Sequence, residues 1–99
     1  MLEIRVGDHG QIVLTGRFDA SEAAKAETFL TAVTESRILD LGDLQYISSA
    51  GLGVLLATQK RLMAQGHGLK LVNLSGHVRE VFHYSGFERI FEIDSSPGL

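Results

Sequence analysis

The sequence has no cysteine, no tryptophan and a single proline among its 99 residues. The absence of cysteine excludes disulfide bonds, thiolate metal sites and thiol catalysis, so packing alone must stabilise the fold. No apolar run of about 18 residues occurs, and the first residues carry no basic, apolar leader, so we expect neither a membrane span nor a secretion signal. The expected location is the cytoplasm.

Positive charge is also scarce. The chain has 9 Lys and Arg against 12 Asp and Glu, a net charge of −3, and its basic residues are scattered singly. A nucleic-acid-binding protein needs a basic stripe interleaved with stacking aromatics. The nearest approach, Lys60-Arg61, is typical of a solvated helix face. We therefore expect no nucleic-acid partner.

Apolar residues, in contrast, are plentiful at 44 % of the chain. A chain of this length buries about two thirds of its unfolded surface in one core. We predict a single domain over residues 1–99, in which residues 94–99 form a flexible tail.

The N-terminal residues have the pattern of a β-hairpin. Leu2, Ile4 and Val6 alternate with polar residues, Asp8 to Gly10 has turn chemistry, and Gln11 to Leu14 continues as a second strand. A short turn of this kind permits only antiparallel pairing.

Helical and strand patterns alternate along the rest of the chain. The predicted helices are Ser21 to Leu30, with Asp19 or Ser21 as its cap, Ser49 to Gln65, and Gly76 to Tyr84; the predicted strands are Arg37 to Leu41, Leu69 to Val72, and Ile90 to Ile93. This order predicts an α/β sandwich around a mixed, mostly parallel sheet, with an N-terminal antiparallel hairpin and three main helices.

Two predictions concern how these elements pack. The buried side of the second helix is predicted to consist of Leu52, Leu55, Leu56, Leu62 and Met63. Functional loops are expected where parallel strands end, which would gather Arg17 to Asp19, Asp43 to Ser49, and Asn73 to Ser75 at one edge of the sheet.

A serine pair, Ser48 and Ser49, stands where the second helix begins. The first N–H groups of a helix have no partner within it, so either serine can cap the helix, and a phosphate at this partly positive end would be tolerated. The plainer interpretation is that one serine is only a cap, and that Gly51 and Gly53 only permit close packing.

The segment around this pair resembles the phosphorylation loop of STAS domains (sulfate transporter and anti-sigma factor antagonist). In that family an Asp-Ser-Ser-Gly-Leu or Asp-Ser-Thr-Gly-Leu element opens the second helix, and the matching stretch here is Ser48-Ser49-Ala50-Gly51-Leu52. The resemblance places Ser49 on the serine that partner kinases phosphorylate. Ser48 stands where the family usually has Asp, and Ala50 also departs from the pattern.

Other segments extend the resemblance over about Leu2 to Ile93. Gly16 to Asp19 resembles the family's Gly-x-Leu/Phe-Asp turn, and Ser85-Gly86-Phe87 resembles its closing segment. The resemblance implies an anti-sigma factor antagonist, cytoplasmic and acting in signal transduction and transcription regulation. It would bind a serine-kinase anti-sigma factor when dephosphorylated, be switched off by phosphorylation of Ser49, and be reset by a serine phosphatase.

The same resemblance implies a partner-binding surface around the acceptor. Its expected members are Arg17, Asp19, Asp43, Ser48, Ser49, Ala50, Gly51 and Leu52. In the family the Asp19 position lies beside the phosphoacceptor, where it would hydrogen-bond Ser49 or contact the kinase.

Enzymatic function is not expected. Gly51-Leu52-Gly53 lacks the Gly-Lys-Ser/Thr of a nucleotide-hydrolysing loop, and Ile47 stands where a nucleophile elbow needs glycine. No histidine has metal-ligand spacing, so we expect no metal and no cofactor. Two alternatives stay open: a non-phosphorylated STAS adaptor subunit of a lipid-transport or signalling complex, and a nucleotide-binding or nucleotide-hydrolysing domain.

Overall fold

The computed structural model describes residues 1–74 and 76–94. Most of the predicted tail, residues 95–99, therefore lies outside the described residues. The elements are β1 (Leu2–Val6), β2 (Ile12–Phe18), α1 (Ala23–Thr31), β3 (Arg37–Ile47), α2 (Ser49–Met63), β4 (Leu69–Val72), α3 (Gly76–Ser85) and β5 (Glu92–Ile93), with 3₁₀ turns at Ala20–Glu22 and Phe87–Arg89. None of the helices in the described ranges has the length and apolar character needed to cross a bilayer.

The five strands form one sheet in the order β1-β2-β3-β4-β5. Strands β1 and β2 pair antiparallel, and every other neighbouring pair is parallel. The predicted α/β fold, with its mixed sheet, N-terminal hairpin and three helices, is confirmed.

One hydrophobic core lies between the sheet and the helices. Along β1 and β4 the buried residues alternate with more exposed ones, so one sheet face carries the core. The strands contribute Leu14, Leu39 and Leu71, and the helices contribute Leu55 and Phe82, all in the same cluster. Because every helix shares this cluster, the described residues pack as a single unit.

The largest departure from the predicted fold is the length of β3. The strand continues past the predicted end at Leu41 to Ile47, because the chain crosses a register shift at Gly42 and Asp43 then pairs with Thr15 of β2. Strand β4 stops earlier, where Val72 pairs with Asp40. The start of α2 therefore projects well beyond the end of β4.

This overhang corrects the prediction that Asn73 shares the edge at which Ser49 lies. The Asn73 amide instead donates to Asp40 Oδ1 at 3.1 Å, in the middle of β3. Ser75, from the same predicted segment, lies outside the described residues.

Three local predictions are also wrong. Neither Asp19 nor Ser21 caps the first helix, since a 3₁₀ turn precedes it and no side-chain cap hydrogen bond forms. Met63 is 54 % exposed, because it lies on the last turn of α2, outside the core. Strand β5 is shorter than predicted, because Ile90 closes a 3₁₀ turn with its N–H on the Phe87 carbonyl.

Two polar side chains fix the C-terminal half of α2. The buried Gln59 amide donates to the Ile90 carbonyl at 2.9 Å and accepts from the Leu69 N–H at 2.7 Å. The Arg61 guanidinium donates to the carbonyls of Val33 and Leu30 at 2.8 and 2.9 Å, at the end of α1. These bonds join α2 to α1, to β4 and to the segment before β5.

Candidate functional site

The candidate site lies where β3 ends and α2 begins. The Ser48 N–H donates to the Phe18 carbonyl at 2.9 Å, which extends the β2–β3 ladder by one step. The Ser48 side chain then accepts from the Gly51 N–H at 3.1 Å, and the Ser48 carbonyl accepts the helical bond from Leu52. Ser48 is therefore the N-cap of α2, and its oxygen is committed to the fold.

Ser49 follows as the first residue of α2, and its environment differs from that of Ser48. Its side chain is exposed, and its hydroxyl forms no hydrogen bond with any residue in ranges 1–74 and 76–94. The first N–H groups of the helix, including those of Ser49 and Ala50, precede the first helical bond and give this end a partial positive charge. A negative group added to the Ser49 oxygen would meet a favourable backbone field.

Gly51 and Leu52 lie beneath this exposed turn. A Cβ atom on Gly51 would stand 2.9 Å from Phe18 Cγ and 3.0 Å from Ile47 Cγ1, so only glycine fits without a shift of neighbouring atoms. Leu52 is 8 % exposed and belongs to the core cluster. Gly51 and Leu52 are buried and hold the first turn of α2 against the core. Ala50 is half-buried, and Ser49 is exposed.

A row of polar and aromatic side chains lies beside the serine pair. Arg17 pairs with Tyr46 across β2 and β3, and its guanidinium carbon is 4.4 Å from the centre of the Tyr46 ring. The Tyr46 ring also stacks on His77 of α3 at 5.1 Å between ring centres. Arg17 Nε also lies 3.9 Å from Asp19 Oδ1. We call Asp19, Arg17, Tyr46 and His77 the stacked row.

Tyr46 lies within the predicted edge segment Asp43 to Ser49 but was not singled out, and His77 was missed altogether. Their contact requires the bulged β2–β3 register and the long reach of β3, neither of which the sequence pattern shows. Arg and Tyr are residues that most often contribute strongly to protein interfaces. The row therefore presents ordered Arg, Tyr and His side chains near the start of α2.

The two candidate carboxylates lie in different places. Asp19 is half-buried, with its carboxylate toward Arg17, and it forms no hydrogen bond with Ser49. Asp43 is part of β3, paired with Thr15, and lines a shallow depression of about 570 Å³ that also includes His77. Of the two carboxylates, only Asp19 directly follows the strand end that bonds Ser48.

Ser49 presents an exposed hydroxyl at the start of α2. No carboxylate or imidazole in the described ranges hydrogen-bonds this hydroxyl. The same ranges contain no group of three or more His, Asp or Glu side chains arranged to hold a metal ion.

Comparison with known proteins gives matches over nearly the whole chain. The family model described as "Mlab, STAS domain" matches residues 2–93. A Bordetella bronchiseptica protein named "Putative anti-sigma factor antagonist BtrV" is 42 % identical over 87 residues, which cover 84 % of this chain and 75 % of that protein.

Solved structures agree with this match. The crystal structure of an anti-sigma factor antagonist from Mycobacterium paratuberculosis superposes with a TM-score of 0.81, covers 97 % of this chain and 86 % of its own, and shares the fold at 22 % identity. The Bacillus cell fate determinant SpoIIAA in its phosphorylated form gives a TM-score of 0.60 at 25 % identity, over 97 % of this chain and 93 % of its own.

Proposed function

This chain belongs to the STAS domain family, among the anti-sigma factor antagonists, and from that premise we propose that it is a phosphorylation-controlled switch. In its unmodified form it binds a serine-kinase anti-sigma factor and so releases a sigma factor. The kinase phosphorylates Ser49 with ATP, the complex dissociates, and a serine phosphatase restores the hydroxyl. The chain itself is not an enzyme, and the cycle takes place in the cytoplasm.

The main support for this proposal is that Ser48 and Ser49 have different structural environments. Ser48 caps α2 with its side-chain oxygen, whereas Ser49 is exposed and its hydroxyl has no hydrogen-bond partner among residues 1–74 and 76–94. A kinase can reach Ser49 without breaking an existing bond of the fold. SpoIIAA, which has a similar fold, has been solved in a phosphorylated form, and this supports the same chemistry here.

Charge and desolvation explain how one phosphate would release the partner. A phosphoserine adds about −1.5 to −2 charges and three acceptor oxygens. Beside Asp19 this charge would accumulate in a surface that must lose water when the partner docks. Since each tenfold loss of affinity needs only about 1.4 kcal/mol, this local change suffices to separate the proteins.

The fold itself should change little on modification. The phosphate would sit at the helix N-terminus, where the peptide dipoles favour negative charge. Ser49 makes no side-chain bond that the phosphate would replace. We therefore expect Ser49→Asp to remain folded with nearly unchanged backbone amide shifts. Widespread shifts or unfolding of this variant would contradict the proposal.

The test is phosphate transfer with matched serine variants. The protein is incubated with each anti-sigma-factor-type serine kinase encoded in its source genome and Mg-ATP, and the phosphate is mapped by tandem mass spectrometry. We expect one phosphate, on Ser49, lost in Ser49→Ala and kept in Ser48→Ala. Label on Ser48, or equal labelling of Ser49→Ala, would overturn the assignment.

A second function is favoured by one feature of the sequence. Ser48 replaces the Asp that usually precedes the acceptor in the family. The matching family model is also described by the name Mlab rather than as an antagonist. A STAS adaptor subunit of a lipid-transport or signalling complex would keep the fold and the stacked row but receive no phosphate. Absence of label with every kinase in the same experiment would favour this adaptor.

A further inference from the structure

A second concave surface lies at the opposite edge of the sheet, where the parallel strands begin. It is lined by the starts of β3 and β4, by the β1–β2 turn and by the last turn of α2, and its volume is about 680 Å³. This size falls within the range of small-molecule sites, about 300–1,000 Å³. We call it the strand-start pocket. It shares α2 with the serine pair, Ser49 beginning the helix and Met63 ending it.

The charges of the strand-start pocket are mostly positive, although the chain as a whole is negative. Arg37 and Lys70 line it together with two imidazoles, His9 and His67, against a single carboxylate, Glu92. Glu92 lies 3.8 Å from Lys70 and offsets one of the two full positive charges. The pocket therefore keeps a net positive charge, which favours an anionic group.

Polar atoms in this pocket remain available to a ligand. Among the described residues Arg37 forms one side-chain hydrogen bond, from Nη1 to the Gly10 carbonyl at 3.0 Å, and this bond holds the guanidinium in place. His67 Nδ1 accepts from the Ser36 N–H at 3.3 Å. This bond occupies Nδ1 and not Nε2, the other ring nitrogen. A guanidinium fixed in this way keeps donors that match a carboxylate, sulfonate or phosphate.

Exposed apolar side chains line the same pocket. Met63 is 54 % exposed and Ile38 is 44 % exposed, and these are two of the five large apolar residues exposed among those described. At the pocket wall the Gln59 amide is buried with both of its polar atoms bonded, so this part is rigid. The pocket thus presents apolar surface next to held positive charge.

From this arrangement we infer that the strand-start pocket binds a small organic anion, an apolar group that carries one acidic head group. The head group pairs with Arg37 and Lys70, and the apolar part covers Ile38 and Met63. No Phe or Tyr side chain is among the described lining residues, so base stacking by a nucleic acid has no platform. This site is independent of the proposed switch at Ser49.

The test uses a charged probe and an uncharged analogue. Anilinonaphthalene sulfonate is titrated into the ¹⁵N-labelled protein by fluorescence and by amide-shift mapping, and N-phenylnaphthylamine serves as the uncharged analogue. We expect saturable binding of one sulfonate probe, amide shifts at Ile38, Met63 and Lys70, and at least about tenfold weaker binding of the analogue.

Charge variants locate the site. Arg37→Gln with Lys70→Gln should weaken sulfonate binding at least about tenfold, whereas Arg5→Gln, an exposed charge on β1 outside the pocket, should change it less than about twofold. Thermal unfolding checks that each variant is folded, and Lys70→Gln alone replaces the double variant if that one is not. Equal binding of both probes, shifts centred elsewhere, indifference to these variants, or no saturable binding would each overturn the inference.

Discussion

The two ends of helix α2 are built in opposite ways. Near its C-terminal end, Gln59 and Arg61 bond to four backbone groups on other segments. At its N-terminal end, a single side chain, Ser48, bonds back to the helix itself, and the next hydroxyl, on Ser49, is unpaired within the described ranges. Side chains of α2 bond other segments near its C-terminal end, whereas the N-terminal end is held by its own cap, by the backbone bond from Ser48 to Phe18 and by core packing of Leu52.

The contrast between the two ends indicates where a domain of this size can carry a modification. A phosphate placed on α2 beside Gln59 would disrupt the buried bonds of its amide. Each broken bond would leave an unpaired polar group, at a cost of about 1–3 kcal/mol. A phosphate on Ser49 breaks none. The anchored end keeps α2 in register with the sheet, while the free end presents Ser49 beside the stacked row.

The largest effect should come from breaking the anchored end. Gln59→Leu removes both amide bonds and leaves the buried Leu69 N–H and the Ile90 carbonyl without partners, so we expect a loss of about 2–4 kcal/mol in the free energy of unfolding. Urea denaturation followed by circular dichroism measures it.

The matched control is Gln65→Leu, the same substitution at an exposed residue just after α2. It should change the free energy of unfolding by no more than about 0.5 kcal/mol. Equal losses in the two variants would show that the Gln59 bonds do not anchor the helix.

A smaller effect is expected beneath the serine pair. Gly51→Ala brings a methyl group to 2.9 Å from Phe18 Cγ, so we expect a loss of about 1–3 kcal/mol from overpacking. Gly53→Ala, two residues along the same helix, meets no atom within 4 Å and should stabilise by roughly 0.5–1 kcal/mol through helix propensity. Thermal unfolding should show a lower stability for Gly51→Ala and a higher one for Gly53→Ala. A loss of stability in both variants would contradict the packing explanation.

The smallest effect separates the two serines themselves. Ser48→Ala removes the cap to the Gly51 N–H and should cost about 1 kcal/mol. Ser49→Ala removes no bond and should change the free energy of unfolding by less than about 0.5 kcal/mol. Chemical denaturation of both variants decides this, and a larger loss for Ser49→Ala would reverse the assigned roles.

The sequence pattern was sufficient for elements whose boundaries are marked by strong local signals. Strand β4 lies at the predicted residues because glycines precede it. Helix α2 begins at the predicted residue because a serine pair marks its start. The mixed sheet follows from the order of the elements. Local chemistry left open which serine would cap α2, and the structure identifies Ser48.

The rest depends on contacts between distant segments. Gly42 and Asp43 have the composition of a turn, yet the pairing of Asp43 with Thr15 of β2 continues β3 through both residues. Gln59 resembles any solvated helix residue, and its burial is imposed by Leu69 and Ile90. The stacking of Tyr46 on Arg17 and His77 needs three elements in place at once. Such positions are fixed by tertiary structure, which local propensity does not encode.

The central claim is that a phosphate on Ser49 weakens partner binding without disturbing the fold. Its most direct test is calorimetric titration, without ATP, of the kinase that labels this protein with the unmodified chain and with the fully phosphorylated chain. We expect at least about tenfold weaker binding of the phosphorylated form, a difference of about 1.4 kcal/mol or more. Equal affinities for the two forms would contradict it.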